Sequence, residues 1–304
     1  MKQEMCKPIR IELPTPYSVG SVNSYLFVEP EPTLVDCGMQ TAESIAALKA
    51  GLAQNGLVVA DLKHVVVTHA HVDHMGLIGW LAERSEATFW INEYCLPWAV
   101  DLAGYWQARL TFMLGILLKI GFAEVEAQRM VGYFKAMLTM WGDVSAEKIH
   151  PFPASGTIPI GGQQWQVLYL PGHAAMQTGF YQPEQQWLLS ADCLLPITPI
   201  PVIENDPVEP TRRSRGLQKH LESLAYLEQL EISCTFPGHG RPIANHRRLI
   251  AKQVARIQQR KEACFALLES GLQTLPALTD VLYSHHPKDA RFTGMSMVLG
   301  YLDL

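Results

Sequence analysis

The sequence has few cysteines, and none of them are spaced as a metal-binding pair. The 304 residues include six cysteines, scattered along the chain without a Cys-x-x-Cys motif. This distribution argues against a disulfide framework and against a cysteine-rich zinc site, and it is typical of thiols in a reducing compartment. We therefore expect a cytoplasmic protein whose cysteines pack as small apolar side chains.

The sequence also lacks a long apolar segment and a secretory leader. Its most apolar stretch, residues 110–122, carries Lys119 and is shorter than the roughly 20 residues needed to span a bilayer. The first ten residues contain four charged side chains and no apolar core of the kind found in signal peptides. The sequence therefore predicts no membrane span.

Charge is sparse and slightly negative. Charged residues make up 17% of the chain, hydrophobic residues make up 48%, and the formal net charge is -5 at pH 7. This composition is typical of a globular protein and unlike that of a disordered chain. Because the net charge is negative, nucleic acid is not the expected partner, and we expect a small-molecule substrate instead.

Predicted strands and helices alternate along most of the chain, which indicates an α/β fold. Short runs rich in apolar and β-branched residues predict strands over residues 22–28, 33–35, 64–68, 87–91, 164–170, 186–190 and 232–236. Helices are predicted over residues 41–55, 77–84, 214–230 and 245–270, with a short helix after Thr274 and a last one near residues 295–302.

The segment from about residue 95 to 148 differs from the rest, because it is helical in character and rich in large apolar side chains. Gly121 is expected to divide it into a helical pair. Packing of a helical hairpin against the remaining fold explains such a composition. An apolar wall for an acyl or aromatic substrate explains it as well, with Trp106 and Phe134 as candidate contacts.

The strongest chemical signal is a cluster of metal-ligand residue types in the sequence THAHVDH at residues 68–74. The candidate ligands are His69, His71, Asp73 and His74. Imidazole and carboxylate groups without cysteine are typical of catalytic zinc, iron or manganese sites. On a helix His69 and His71 would point apart, so the spacing favours a loop that follows the strand at 64–68.

Three further ligand-type residues follow directly on predicted strands. They are His173 after Pro-Gly, Asp192 after Ser-Ala, and His239 within Pro-Gly-His-Gly. Asp36 follows the strand at 33–35 in the same way. Because ligands in α/β proteins collect at one end of the strands, we expect these side chains to converge on one point.

The other six histidines stand alone in the sequence and are interpreted as ordinary surface or core residues: His64, His150, His220, His246, His285 and His286. If the residues of the ligand motifs were also ordinary surface or core residues, four motifs would have to occur in this order along the chain by coincidence. A functional explanation of those motifs is therefore favoured.

The ordered motifs THxHxDHxG, PGH, SAD and PGHG resemble those of the metallo-β-lactamase superfamily, and within it the glyoxalase II-like and lactamase-β-like hydrolases. The resemblance covers roughly residues 20–245 and implies an α/β fold, the αββα four-layer sandwich, with the helical insertion at about 95–148. It implies a metallo-β-lactamase-fold domain over residues 1–245. The following region, 246–304, is similar to a small C-terminal helical or winged-helix-like unit.

The resemblance also implies two divalent metal ions, with zinc as the expected metal and iron or manganese compatible with the same ligands. One ion would be bound by His69, His71 and His173. The other would be bound by Asp73, His74 and His239, with Asp192 bridging both ions. Asp36 would support the ligand loop from behind.

These features predict a metal-dependent hydrolase. Two dications lower the pKa of a bridging water toward neutrality, so that a metal-bridging hydroxide can attack a carbonyl or phosphoryl centre. Asp73 is expected to orient this nucleophile in addition to binding metal. The expected substrate is an ester, thioester or lactone of a small acyl molecule.

A phosphodiesterase or endoribonuclease that uses the same two metals is the alternative function. It is suggested by a row of basic residues on the predicted helix 245–270, which we call the basic stripe: Arg248, Lys252, Arg256 and Arg260. A solvated helix face explains the stripe, and binding of an anionic group explains it as well. A non-hydrolytic metal protein is a third hypothesis. Its redox version is disfavoured because no flavodoxin-like extension is expected after residue 245, and a binding domain that lost activity is disfavoured because all seven ligand residues are present.

Overall fold

Two mixed β-sheets form the centre of the computed structural model, which describes residues 7–285 and 291–304. The first sheet contains, in spatial order, β1 (Ile9–Leu13), β2 (Val22–Phe27), β3 (Thr33–Val35), β4 (His64–Val67), β5 (Thr88–Asn92) and β6 (Ile149–Phe152). The second contains β7 (Thr157–Ile160), β8 (Gln163–Tyr169), β9 (Thr178–Gln182), β10 (Trp187–Ala191) and β11 (Cys234–Pro237).

The parallel strands of each sheet determine where ligand residues can collect. In the first sheet β3, β4, β5 and β6 run parallel, while β1, β2 and β3 pair antiparallel. In the second sheet β10 and β11 are parallel and the other pairs are antiparallel. The loops that follow β4, β10 and β11 are therefore available to converge at one edge of the two sheets.

Side chains from both sheets fill the space between them. Phe27 of β2 contacts Trp165 of β8 with ring centres 5.8 Å apart, and Tyr25 of β2 contacts Phe236 of β11 at 5.7 Å. All four belong to one buried cluster. Burying large aromatic side chains from two facing sheets removes apolar surface from water and holds the sheets together.

Helices cover the outer faces of both sheets. On the first sheet, α1 (Ala42–Ala53) buries Leu48 and Leu52 in a cluster with strand residues. On the second, α7 (Gly216–Glu228) buries Leu224 and Leu227, and α8 (His246–Glu269) adds Ile250. The order helix, sheet, sheet, helix confirms the predicted αββα sandwich.

The predicted helical insertion lies between β5 and β6. It contains α4 (Leu96–Val100), α5 (Leu102–Lys119) and α6 (Glu124–Ala136). Gly121 adopts φ +97° directly after α5, a conformation that favours glycine and that ends the helix. The helical character of this segment and its division at Gly121 are thus confirmed.

The C-terminal region consists of α8, α9 (Leu275–Leu282) and α10 (Arg291–Asp303). No strand follows β11 among residues 246–285 and 291–304, so the wing of a winged-helix unit is not found there. Ile257 of α8 and Met295 of α10 belong to the same buried cluster as the first sheet and the insertion. A domain boundary at residue 245 stays a prediction.

Within the described ranges, no helix has both the length and the apolarity required to cross a membrane. Five cysteines are described, and all are free thiols: Cys37, Cys95, Cys193, Cys234 and Cys264. Cys193 is fully buried in the cluster beneath α7, which agrees with its interpretation as a packing residue. His286, one of the six lone histidines, lies outside the described residues.

Candidate metal centre

The THAHVDH motif combines an extended segment with one helical turn. His69 follows β4, and His71 occupies the N-cap position of the short helix α2 (Val72–Met75). This helix carries Asp73 and His74. The expectation of a loop through all four ligands was therefore wrong for the last two. The helical turn rotates Asp73 and His74 toward the same centre that His69 and His71 reach from the extended part.

The strand-end turns bring the remaining ligand candidates to this centre. His173, Asp192 and His239 follow β8, β10 and β11 respectively. Only glycine fits at position 238, because a Cβ atom there would clash with Asp192 Oδ1 and would lie 2.8 Å from Cε1 of the His74 ring. The glycine of the PGHG motif thus allows the backbone to pass directly beside the ligands.

A first group of ligand atoms consists of three imidazole nitrogens. His71 Nδ1 lies 3.0 Å from His69 Nε2 and 3.0 Å from His173 Nε2. The ligand atoms of this group all lie within 4.8 Å of one another, close enough to bind one metal ion. These are the three residues for which the family resemblance implies a shared first ion.

A second group consists of Asp73, His74 and His239, whose ligand atoms also lie within 4.8 Å of one another. His239 Nε2 is 3.4 Å from Asp73 Oδ2. Asp192 lies between the groups, with Oδ1 3.4 Å from His74 Nε2 and Oδ2 3.4 Å from His173 Nε2. The structure therefore brings all seven predicted ligands together, with Asp192 in the central position.

Backbone carbonyls orient two of the histidine rings from outside. His173 Nδ1 donates to the carbonyl of Ile200 over 2.8 Å, and His239 Nδ1 donates to the carbonyl of Ser21 over 2.9 Å. A proton on the outer nitrogen leaves the inner Nε2 with a lone pair directed at the centre. These hydrogen bonds therefore select the tautomer that can bind a metal.

Asp36 orients two more histidines. Its Oδ1 accepts from the Thr68 backbone N–H over 2.9 Å, and its Oδ2 accepts from Thr68 Oγ1 over 2.8 Å and from His74 Nδ1 over 2.7 Å. Since the Thr68 hydroxyl donates to Asp36, it is left to accept from His69 Nδ1, 3.0 Å away. Asp36 thus lies behind the ligands, where the sequence places it.

Burial and neighbouring charges shift the pKa values of the cluster in opposite directions. Burial holds the pKa of His69 and of His71 well below the usual value, and neighbouring histidines lower it further. Burial alone would also lower the pKa of His74, but the carboxylates of Asp192 and Asp36 raise it well above the usual value. Burial would raise the pKa of Asp192, but the charges of His74 and His239 outweigh it and hold the pKa of this carboxyl well below the usual value.

The unpaired atoms of this centre fit bound cations. His74 Nε2 and Asp192 Oδ1 are buried without a hydrogen-bond partner among the described residues. Three inward-facing imidazole nitrogens at 3.0 Å repel one another unless a proton or a cation lies between them. Nitrogen and oxygen ligands without thiolate suit divalent zinc, iron or manganese.

A buried ion pair adjoins the centre and was not predicted from the sequence. Arg109 of α5 donates from Nη1 to Glu204 Oε2 over 2.7 Å. The two residues are 95 positions apart. A single arginine within a strongly apolar helix is the only sequence feature that could have indicated Arg109.

The two candidate substrate contacts lie in different surroundings. Trp106 is 5% exposed, and its ring lies 5.0 Å from that of Trp98 and 6.0 Å from the Arg109 guanidinium. Phe134 contacts Phe292 of α10 at 5.0 Å, which joins the insertion to the C-terminal helices. Substrate contact by Trp106 or Phe134 stays a prediction.

The basic stripe lies along α8, outside the ligand cluster. Arg248, Lys252 and Arg256 are exposed, and they form no ion pair with the residues that the structure describes. Arg260 differs, because it donates to the Leu282 carbonyl over 3.1 Å and lies over the Tyr283 ring. Three of the four stripe residues therefore present charge to solvent.

His220 departs from its interpretation as an ordinary satisfied histidine. It is 1% exposed, and neither ring nitrogen has a hydrogen-bond partner within the described part of the chain. Burial, assisted by the nearby His173, lowers its pKa to about 4. His220 is therefore neutral at pH 7 and lies against Gly172, the residue before the ligand His173.

Comparisons with known proteins agree with this architecture. Residues 17–239 match the family model of the metallo-beta-lactamase superfamily. A probable metallo-hydrolase of Bacillus subtilis, YqjP, is 29% identical over 301 residues, which cover 97% of this chain and 91% of YqjP.

Two solved structures share the fold over nearly the whole chain. The metallo-beta-lactamase family protein TTHA1429 of Thermus thermophilus superposes with a TM-score of 0.81 at 26% identity, covering 97% of this chain and 92% of that protein. A beta-lactamase domain protein of Burkholderia ambifaria superposes with a TM-score of 0.74 at 21% identity, covering 97% and 84%. Since the family model spans most of the chain, this protein belongs to the metallo-β-lactamase superfamily, a superfamily of metal-dependent hydrolases.

Proposed function

We propose that this protein is a dinuclear metal hydrolase that cleaves an ester, thioester or lactone of a small acyl substrate. The observation that carries the proposal is the position of Asp192, whose two carboxylate oxygens face His74 on one side and His173 on the other. A carboxylate between two groups of ligand atoms suits a pair of cations held a few ångströms apart.

In this proposal, three histidines bind one cation and a mixed set of residues binds the other. His69, His71 and His173 hold the first, Asp73, His74 and His239 hold the second, and Asp192 contacts both. Zinc is the metal that we propose, because the ligands are nitrogen and oxygen and no redox partner is required. When bound, the cations supply Lewis-acid activation of the substrate carbonyl and of water.

Asp73 is the residue that we propose for proton handling. Its Oδ2 lies 3.4 Å from His239 Nε2. Burial would raise the pKa of Asp73, but the neighbouring His239 and His74 side chains lower it below the usual value. An ionised Asp73 can orient the attacking water, take a proton from it, and later pass that proton to the leaving oxygen or sulfur.

Carbonyl substrates are favoured over phosphodiesters by the surroundings of the centre. The insertion places the buried rings of Trp98 and Trp106 around Arg109, near the loop that carries His173. An apolar surface with a few polar groups is typical of a small-molecule pocket. A nucleic-acid substrate would need an extended basic surface, whereas the net charge of this chain is -5.

The decisive experiment combines metal analysis with a substrate screen on the purified protein. Thioesters, homoserine lactones and aryl esters are tested beside a bis-aryl phosphodiester and a short RNA. The proposal expects about two metals per chain and turnover of carbonyl esters. Turnover of phosphodiester or RNA alone, decreasing steeply with added salt, would replace it with the nuclease function.

Two matched histidine variants test the ligand assignment. His71→Ala or His173→Ala removes an imidazole from the first group, so turnover and metal content should both decrease while the circular dichroism spectrum stays unchanged. His285→Ala is the control, because His285 is an exposed histidine outside the cluster. Full turnover in a metal-poor His173→Ala protein would contradict the two-metal mechanism.

A further inference from the structure

The helical insertion fixes one guanidinium group against the loop that carries His173. The Arg109 and Glu204 side chains, joined by a 2.7 Å hydrogen bond, are only 9% and 2% exposed. The second oxygen of Glu204 accepts from the backbone N–H of Ala175, two residues after His173. Val202, two residues before Glu204, donates its N–H to the His173 carbonyl over 3.0 Å. Arg109 is thus held in a fixed position relative to a metal ligand.

Two tryptophans, Trp98 and Trp106, adjoin this guanidinium, and the ring of Trp141 contacts both of them; we call the three the tryptophan cluster. The guanidinium carbon lies 5.1 Å from the ring centre of Trp98. Each tryptophan is at most 6% exposed, and none of the three indole N–H groups has an acceptor among the described residues. Buried N–H groups are rarely left without acceptors, so three in one cluster favour an oxygen acceptor that the described residues do not supply.

Arg109 has further N–H groups without an acceptor among the described residues. A guanidinium has five N–H groups, and the bond to Glu204 is the one hydrogen bond of Arg109 within the described part of the chain. A carboxylate accepts about four hydrogen bonds and matches the planar fork of a guanidinium. The indole rings offer flat apolar surface along which a short carbon chain can pack.

We propose that Arg109 and the tryptophan cluster bind a carboxylate on the acyl part of the substrate, so that the enzyme prefers monoesters or monothioesters of dicarboxylic acids. This inference rests on the proposed hydrolase function. Glu204 bonds both Arg109 and the backbone N–H of Ala175, and this places the guanidinium near His173 of the first ligand group. A short acyl chain can then extend from a carbonyl at the metal centre to a carboxylate at Arg109.

The test compares two aryl esters whose acyl chains have the same number of carbons. The para-nitrophenyl monoester of glutaric acid carries a carboxylate, and para-nitrophenyl pentanoate does not. Two variants of the metal-loaded protein are used, Arg109→Lys and the double variant Arg109→Met with Glu204→Gln. The double variant removes both charges of the buried pair together, so that neither remains unpaired.

We expect wild type to prefer the glutarate monoester, and the double variant to lose about ten- to a hundredfold in kcat/KM for it with little change for the pentanoate ester. The Arg109→Lys variant should lose less kcat/KM for the glutarate monoester, because lysine keeps the positive charge but lacks the planar guanidinium fork. Lys119→Met is the control, since it removes an exposed positive charge from the same helix α5 and should leave the ratio of the two rates unchanged.

A thermal-shift measurement with free glutarate tests the carboxylate site without relying on turnover. Glutarate should raise the Tm of wild type and of Lys119→Met, but not of the double variant. If no ester is hydrolysed and this pattern still holds, the carboxylate site stands and the proposed hydrolase function fails. Equal loss of turnover on both esters, or no Tm increase with glutarate, would overturn the carboxylate site and leave Arg109 as a packing residue of the insertion.

Discussion

His74 Nδ1 donates a 2.7 Å hydrogen bond to Asp36 Oδ2, although the two residues are 38 positions apart in the chain. Asp36 also accepts two hydrogen bonds from Thr68, whose hydroxyl contacts the His69 ring. One carboxylate thus determines the orientation of a proposed ligand of each metal. This relationship explains why an acidic residue that does not face the centre follows β3.

Replacing Asp36 with asparagine should weaken metal binding without unfolding the protein. An asparagine amide cannot accept all the hydrogen bonds that Asp36 accepts, so the His74 and His69 rings lose their fixed orientation. Loss of such outer partners typically costs about ten- to a hundredfold in metal affinity. Competition against a chelator measures the change.

Asp61→Asn is the control for this experiment. Asp61 also accepts a backbone N–H, that of Val58 over 2.7 Å, but it lies in an exposed turn. Its variant should bind metal like wild type. Equal metal affinity in both variants would show that Asp36 does not orient the ligands.

Replacing His220 should reduce the loss of stability in acid. Its pKa is about 4 in the folded state because of burial, compared with 6.5 as the usual value. The unfolded chain therefore binds the proton more readily between these two pH values, and the neutral buried ring costs stability as pH falls from 6.5 toward 4. Above pH 6.5 the effect is absent.

Urea unfolding of the chelator-treated protein at pH 7.5, 6 and 5 measures this effect. The His220→Leu variant should gain stability relative to wild type as pH falls, by about 3 kcal/mol in total once pH reaches the folded pKa. If the free energies of unfolding of the two proteins differed by the same amount at every pH, the pKa of His220 would not be lowered in the folded state.

Gln186→Gly should stabilise the fold by about 1 kcal/mol. Gln186 is exposed and adopts φ +55° directly before β10, a conformation that is strained for any side chain and open to glycine. The neighbouring Gln185 is exposed and has no positive φ, so the control variant Gln185→Gly should destabilise the fold slightly. Urea unfolding of both variants checks the sign of each change.

Trimming the insertion should affect acyl substrates more than small polar ones. Trp106→Leu and Phe134→Leu shorten two large side chains of α5 and α6. If the insertion forms a wall for the acyl chain, kcat/KM for a pentanoate ester should decrease more than that for an acetate ester. Equal decreases on both esters would indicate that these residues only support the fold.

The convergence of the seven proposed ligands was predictable from the sequence because each of them follows a strand with a clear apolar pattern. β4, β8, β10 and β11 were all expected, and each leads into its ligand within a few residues. The α2 turn was not expected, because four residues are too few to show a helical period.

Three of the four strands that the sequence did not indicate lie at sheet edges, namely β1, β6 and β7. Edge strands are paired on one side only, and they tolerate residues that argue against a strand. Pro151 in β6 and Pro159 in β7 are such residues. β9 is an inner strand, but its five buried residues include Gly179 and show no alternation.

The pair of Arg109 and Glu204 could not be predicted, because it depends on how the insertion packs. Neither residue belongs to a motif, and Glu204 lies in an irregular segment between β10 and α7. Sequence periodicity indicates which face of a helix is apolar, but it does not indicate which loop that face will contact.

The insertion is separate in the chain from the seven proposed metal ligands. None of the seven proposed ligands comes from the segment between β5 and β6, while Arg109 and the tryptophan cluster all do. Under the proposed function, substitutions in this segment would alter which acyl group is accepted without altering a proposed metal ligand. A library of variants confined to residues 96–148 is consequently the most direct route to new substrate preferences in this protein.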